Sequence, residues 1–344
     1  MTQGANPARF RPMHPILFSI PTPWGAIPIY SYGVMLGSSL LLAWYFIMYM
    51  GKRIEGFNRE LLASCFTWTA VGAIVGARLL YVFTNIDEYE SVSSWFDLSS
   101  GGLVAYGGFI GGFVSAWAFW KIKKIPLIPF ADIAVPTLAS GLMLTRVGCY
   151  LYGCDYGRPL RDTAPEFLKS AGTFPKWDSE AYPSFACDQT INGSPAYQHH
   201  LSEGLIPEDA MASLAVHPTQ IYESLAGLLL FVFSFWLLNH RSFRGQVLVV
   251  VGGLYGLWRF FIEYLRDDPE RGFAFGFSTS QLISLALIPL CIIGYVQLKK
   301  RAEEKGDIEL PTWALEDGGS KDTASGTKRD DRPAKYRRKK IKRK

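Results

Sequence analysis

Charge is scarce in this sequence. Asp, Glu, Lys and Arg make up 19% of its 344 residues and hydrophobic types 49%, whereas soluble domains carry about 25% charged residues. The deficit argues against a soluble globular class and for a membrane one. It also understates the case, because the stretch from Lys299 onward is almost wholly polar and dilutes the rest.

Cysteine is sparse too, and five residues are too few for a disulfide framework. Cys149, Cys154 and Cys187 nevertheless fall near or on what the topology below makes the outer side, so one bridge, Cys154 to Cys187, is a candidate. An uninterrupted apolar run is missing from the N-terminal stretch "MTQGANPARFRPMHPILFSIPTPWGAIPIY", which prolines break. No cleavable signal peptide is read there, and the segment is expected to lie along the membrane before the first span. No internal repeat is visible.

What the chain does have is seven apolar segments, 29–50, 62–84, 103–120, 129–152, 217–239, 245–263 and 277–298, each long enough to cross a hydrocarbon core of about 30 Å at ~1.5 Å per residue. The short links "GKRIEGFNRE", "KIKK" and "NHRSFR" are basic and the tail ends in "RRKKIKRK", whereas "TNIDEYESVSSWFDLSS" carries no Lys or Arg. Basic loops stay cytoplasmic, so the expectation is an all-α integral membrane protein of about seven transmembrane helices, N-terminus outside and C-terminus cytoplasmic. Residues 1–298 form its transmembrane domain.

Within it, residues 153–216, rich in Pro, Gly, Ser and aromatics, are expected to form a small extracytoplasmic head, since connections of this length are usually functional. Residues 299–344 are expected to form an unstructured charged tail that adheres to the anionic inner leaflet, at about 1 kcal/mol per basic residue. Membrane lipid, not nucleic acid, is its expected partner. The glycines of "GGLVAYGGFIGG" open an apolar span and let helix backbones approach.

Arg78, Asp132, Arg146, Glu223, Arg259 and Glu263 fall within or at the edge of these spans, where each charge costs about 2.5 to 3.5 kcal/mol near the bilayer centre. They pair with one another, face water, or meet an anionic ligand. Arg146, Arg259 and Arg266, with Arg158 just beyond, exceed what Glu223 and Glu263 neutralise. Surplus guanidinium in a partly dry site points to a phosphate, whose geometry the planar fork matches. His199, His200 and His217 lie in or beside the head, but no pair has metal-ligand spacing on a clear helix and the cysteines look badly placed to complete a site, so no metal is expected.

Five stretches together resemble the prolipoprotein diacylglyceryl transferase family: "YSYGVMLG" (30–37), "GARLLYVF" (76–83), "GGLVAYGG", "RVGCYLYGCDYGRP" (146–159), and "HPTQIYES" followed by "YGLWRFFIEYLRDD" (255–268). They occur in the family's order, and the resemblance covers residues 14–300. It implies a multi-pass enzyme of the bacterial inner membrane. Such an enzyme transfers the diacylglyceryl group of phosphatidylglycerol to the lipobox cysteine in a prolipoprotein signal peptide, leaving a thioether and releasing glycerol phosphate, without a cofactor.

By the same resemblance, Arg146 and Arg259 stabilise the departing phosphate, and Tyr32 matches the first span's tyrosine. Gly148, Gly153 and Gly157 match signature glycines that would let the backbone approach the head group. Gln220, Tyr222 and Glu223 match the motif that His217 opens, and Glu263 and Arg266 match polar groups after the sixth-span arginine. Arg78, Gly107, Gly108, Cys149 and Arg158 complete the expected substrate-binding set.

The chain departs from the family in three places. Many members carry His-Gly-Gly where this chain has Tyr106, Gly107 and Gly108; Cys149 replaces an asparagine, and Cys154 an acidic residue. A phenol of pKa near 10 is a poor general base. His217 is therefore the candidate base, with Tyr106 and Tyr32 as orienting hydroxyls. Two rivals use the same charges: a transporter or flippase of an anionic lipid, which would usually show repeat symmetry, and a catalytically altered member of the family.

Overall fold

A computed structural model describes residues 15–23, 25–86, 95, 104–176, 193–267 and 272–315. It is 70% helical, and its long helices lie at the seven expected segments: α1 (Ser31–Met50), α2 (Arg59–Thr84), α3 (Ala105–Ile122), α4 (Leu127–Tyr152), α7 (Thr219–His240), α8 (Gln246–Ile262) and α9 (Thr279–Lys305). Two short helices, α5 (Glu166–Ala171) and α6 (Pro195–Ser202), lie in the expected head. Among the described residues six helices are long and apolar enough to cross a membrane, and α3, with 18 residues, is not one of them.

Helix starts follow from capping. The Asn58 side chain accepts from the Glu60 N–H at 2.8 Å to open α2, and Ser278 with Gln281 forms a reciprocal capping box that opens α9. α9 runs past the expected end at 298 because "QLKKRAEEK" keeps strong helix formers and a Lys300–Glu304 pair at 3.8 Å.

Two features depart from the expected all-helical picture. The proline-broken N-terminal stretch forms a hairpin, β1 (Ile16–Thr22) against β2 (Gly25–Tyr30), which leads straight into α1. A second, minimal hairpin, β3 (Phe273–Ala274) with β4 (Phe277–Ser278), precedes α9. The tail is also ordered further than its composition suggests: Ile308 and Ala314 are buried, and the Asn58 N–H donates to the Ala314 carbonyl at 2.8 Å. Residues 316–344 lie outside the described residues, as does Cys187 of the expected bridge.

α2 and α3 pack through a seam of small residues. A Cβ on Gly76 would strike the Gly107 carbonyl, and one on Gly111 would strike the Gly72 carbonyl. Such approach lets two helices associate in lipid without a hydrophobic driving force between them. α4 and α7 meet as closely at Gly227, where a Cβ would sit 2.7 Å from the Met143 nitrogen, and the Ser224 hydroxyl donates to the Met143 carbonyl at 2.9 Å.

The largest core cluster occupies one end of the bundle: Met50, Phe57, Leu62, Trp120, Ile133, Leu238 and Val247, from the α1, α3 and α7 C-termini and the α2, α4 and α8 N-termini. There Asp132 accepts from Arg241 Nη1 at 2.7 Å and from the N–H groups of Gly245 and Leu248. Glu55 accepts from Arg241 and from Arg244 Nε at 2.9 Å. Arg244 in turn binds the Ile308 carbonyl and, through its N–H, Asp307 at 3.0 Å. Asp132, one of the charges expected to pair, face water or meet a ligand, takes the first course and belongs to a buried lock with Glu55 and its arginines.

Candidate active site

The other end of α4 and α7 holds the second ionic cluster. α4 stops at Tyr152 because Gly153 turns left-handed, with φ of 84°. The start of α7 then pins the turn that follows: the Gln220 amide donates to the Cys154 carbonyl and the Thr219 hydroxyl to the Asp155 carbonyl, both at 2.6 Å. Three sequence-distant segments are laced by backbone bonds: Gly157 N–H to His217 O at 3.0 Å, Arg158 N–H to Leu265 O at 2.8 Å, and His217 N–H to Arg158 O at 2.9 Å.

This frame brings together Arg146 from α4, Asp155, Glu223 from α7, Arg259 from α8, and Glu263 and Arg266 just beyond it. Glu223 is the hub: it binds the Arg146 Nε, the Arg259 Nη1 at 2.9 Å and the Arg266 Nη1 at 3.9 Å. Asp155 closes a ring by accepting from the Arg146 Nη1 at 2.7 Å and from Arg266. Arg259 also lies 3.2 Å from Glu263 and donates through Nη2 to the Ser280 hydroxyl of α9 at 2.9 Å.

The expected surplus of positive charge is therefore corrected. Among the described residues three guanidinium groups face three carboxylates, because Asp155, overlooked in a turn just outside the fourth span, completes the count. Burial alone would raise the Asp155 carboxyl, but Arg146 and Arg266 outweigh it and hold it well below the usual carboxylate range. Arg146 and Arg259 keep 17% and 15% of their side chains accessible, against 5% for Arg266, so the first two are the more open of the three.

Tyr32, 42% exposed on α1, lies within electrostatic reach of Arg146, Cys149, Cys154 and Asp155. Tyr106 is 55% exposed on α3. Tyr255, one helical turn before Arg259, lies within electrostatic reach of Arg259, Glu223, Arg146 and Tyr106. Tyr255 and Ser280 were not expected; the i, i+4 spacing of Tyr255 to Arg259 in "YGLWR" was the available signal. The His217 Nδ1 lies 3.4 Å from the Tyr222 hydroxyl, and burial lowers its pKa, favouring the neutral imidazole.

Other expected binders have contacts of their own. Arg78 turns to the α2–α3 connection, where its Nε donates to the Trp95 carbonyl at 2.7 Å and its guanidinium lies 5.7 Å from the Tyr81 ring centre. The Arg158 side chain is exposed. Gly107 and Gly108 face α2.

The signature glycines are closely packed by neighbouring chain. A Cβ on Gly148 would lie 3.1 Å from the Tyr32 ring, and one on Gly157 would lie 2.5 Å from the Leu265 carbonyl. At Gly153, where the backbone is left-handed, it would lie 2.9 Å from the Ser194 Cβ. The cysteines, expected to be badly placed to complete a metal site, do lie together. The thiols of Cys149 and Cys154 and a carboxylate oxygen of Asp155 all lie within 4.8 Å of one another.

Among the head's described residues, Phe174, Tyr156, Ala196 and Val216 form a buried cluster. Outside the site, α1, α3 and α9 turn apolar side chains outward, among them Leu41, Phe109 and Ile292. A buried ring of paired arginines beside lipid-facing helices suits an amphiphile with an anionic head group.

Comparison with known proteins agrees. Residues 15–297 match the family described as prolipoprotein diacylglyceryl transferase. Proteins named phosphatidylglycerol–prolipoprotein diacylglyceryl transferase include one from Oceanobacillus iheyensis, 29% identical over 82% of this chain and 88% of its own length. One from Clostridium tetani is 28% identical over 80% and 94%, and one from Acinetobacter baumannii 29% identical over 78% and 87%. With the match spanning nearly the whole helical bundle and both ends of the arginine ring, the chain belongs to the prolipoprotein diacylglyceryl transferase family.

Proposed function

We propose that this protein is a multi-pass enzyme of the bacterial inner membrane that transfers the diacylglyceryl group of phosphatidylglycerol to the lipobox cysteine of prolipoproteins. The reading rests on family membership and, at the site, on one observation: Arg146 and Arg259 are fixed on a single carboxylate, Glu223, with 17% and 15% of their side chains still accessible.

The incoming thiolate attacks the glycerol carbon that bears the phosphate ester. The sulfur–carbon bond forms, the carbon–oxygen bond breaks, and glycerol phosphate leaves with the electron pair. Arg146 and Arg259 bind the departing phosphate, exchanging part of their hold on Asp155 and Glu263 for its oxygens. Preorganised donors of this kind contribute about 3 kcal/mol each. Glu223 stays between them and keeps their spacing.

A cysteine thiol of pKa about 8.5 is only a few per cent thiolate at neutral pH, so a base is needed. His217, neutral and at the edge of the laced segments, takes the thiol proton; Tyr32 and Tyr106 orient the head group from α1 and α3, and Tyr255 lies within electrostatic reach of Tyr106 and the ring. The cluster end lies on the extracytoplasmic side, since Lys52, Arg53, Lys121, Lys123, Lys124 and Arg241 all belong to the opposite end. The N-terminus is then outside and α3 is the seventh span.

The test is to incubate purified protein in detergent with phosphatidylglycerol and a lipobox peptide, with a Cys→Ser peptide as control, and to read products by mass spectrometry. A diacylglyceryl adduct on the cysteine peptide alone is expected. Its absence, in protein that still binds phosphatidylglycerol, would leave a lipid-binding protein without transferase activity.

A further inference from the structure

Cys149 and Cys154 occupy paired positions of a helix-ending turn. Gly153 N–H and Cys154 N–H both donate to the Cys149 carbonyl, at 2.8 and 3.2 Å, around the left-handed Gly153. In such a motif the side chain three places before the cap meets the one just after the glycine, usually as an apolar contact. Here both are thiols, and both are free.

We infer that Cys149 and Cys154 are a modification site, closing into an intrachain disulfide with a small disulfide oxidant. A bound metal is the weaker use of the same atoms, because the third donor, Asp155, is already taken by Arg146 and Arg266 and those cations oppose another. A disulfide needs only the two sulfurs. Cys65 and Cys291 sit in α2 and α9, and neither is among the groups acting on Cys154.

With oxidised glutathione as oxidant the step balances. The Cys154 thiolate, the more exposed of the two, attacks one glutathione sulfur and releases a glutathione thiolate. The Cys149 thiolate, 3.9 Å from the Arg146 Nη1, then attacks the Cys154 sulfur and releases the second. Two thiol protons go to the two glutathiones, which carry off the two electrons. Contact with Cys149 and burial both push the Cys154 thiol up, so exchange is run at about pH 9 to supply thiolate.

The experiment uses full-length protein in detergent, treated with oxidised glutathione, denatured, alkylated with iodoacetamide and digested with trypsin without reduction. Both cysteines fall in one peptide, residues 147–161, since the Arg158–Pro159 bond resists cleavage. That peptide is expected unlabelled and lighter by two hydrogens, gaining two labels only after reduction, while Cys65 and Cys291 stay labelled. In Cys149→Ser, glutathione is expected to remain on Cys154. Two labels on the untreated-like peptide, a stable glutathione adduct in the unsubstituted protein, or linkage of Cys154 to Cys187 would each overturn the assignment.

Discussion

Glu223 grips Arg146 and Arg259 at once: its Oε2 accepts from the Arg146 Nε, and its Oε1 from the Arg259 Nη1 at 2.9 Å. The two arginines come from different helices, α4 and α8, so the α7 carboxylate between them sets their separation. Glu223→Gln keeps the shape but removes the charge that holds both. The expected result is a fall in kcat/KM of about 10²-fold or more, read in the peptide adduct assay on protein that still elutes as a folded species. A loss of less than about threefold would remove Glu223 from the clamp.

Arg146→Lys tests the fork itself. Lysine keeps a positive charge but cannot bind Asp155 through one nitrogen and Glu223 through another while presenting a planar edge to phosphate. Turnover is expected to drop by about 10²-fold. Near-normal activity would show that charge alone suffices there.

His217 makes a pH prediction. Burial lowers its pKa from the ordinary 6.5, so the base form is present at neutral pH and is lost only as pH falls through that lowered value. Activity limited by this group rises with pH through a midpoint below 6.5. His217→Gln is expected to lower turnover and flatten that rise without changing phosphatidylglycerol affinity; an unchanged profile would rule the imidazole out as base.

The glycines of α3 divide by what lies against them. A Cβ at Gly111 would strike the Gly72 carbonyl, which cannot yield without moving α2, whereas one at Gly108 would rest 3.5 Å from the Ala73 carbonyl in ordinary contact. Gly111→Ala is expected to destabilise by about 1 to 3 kcal/mol, seen as a lower Tm in detergent. Gly108→Ala is expected to keep both Tm and activity, and lost activity at normal Tm would return Gly108 to the substrate site.

The helices were legible because lipid imposes an apolar run of fixed length on each span, and every expected segment overlaps an observed helix. Charge was harder. Counting carboxylates by span membership left out Asp155, which the chain reverses into the cluster only after Gly153 ends α4. The glycine-rich signature suggested room for a ligand, but the space at Gly148 and Gly157 is filled by Tyr32 and by the Leu265 and His217 backbone. The N-terminal hairpin was hidden by prolines in both strands. Two departures from the family pattern, Cys149 and Cys154, looked independent in sequence and are one unit in space.

The balance of the arginine ring has a further consequence. Among the described residues three guanidinium groups against three carboxylates sum to zero formal charge, so beyond its own width this ring presents no monopole. Ions in solution screen charges over about 8 Å at physiological strength, but there is little net field here for them to screen. On the proposed function the head group reaches the ring by lateral diffusion in the bilayer and is recognised by exchange of partners at contact. The KM for phosphatidylglycerol should accordingly stay nearly flat with ionic strength, unlike that of an enzyme that draws its anion from a distance.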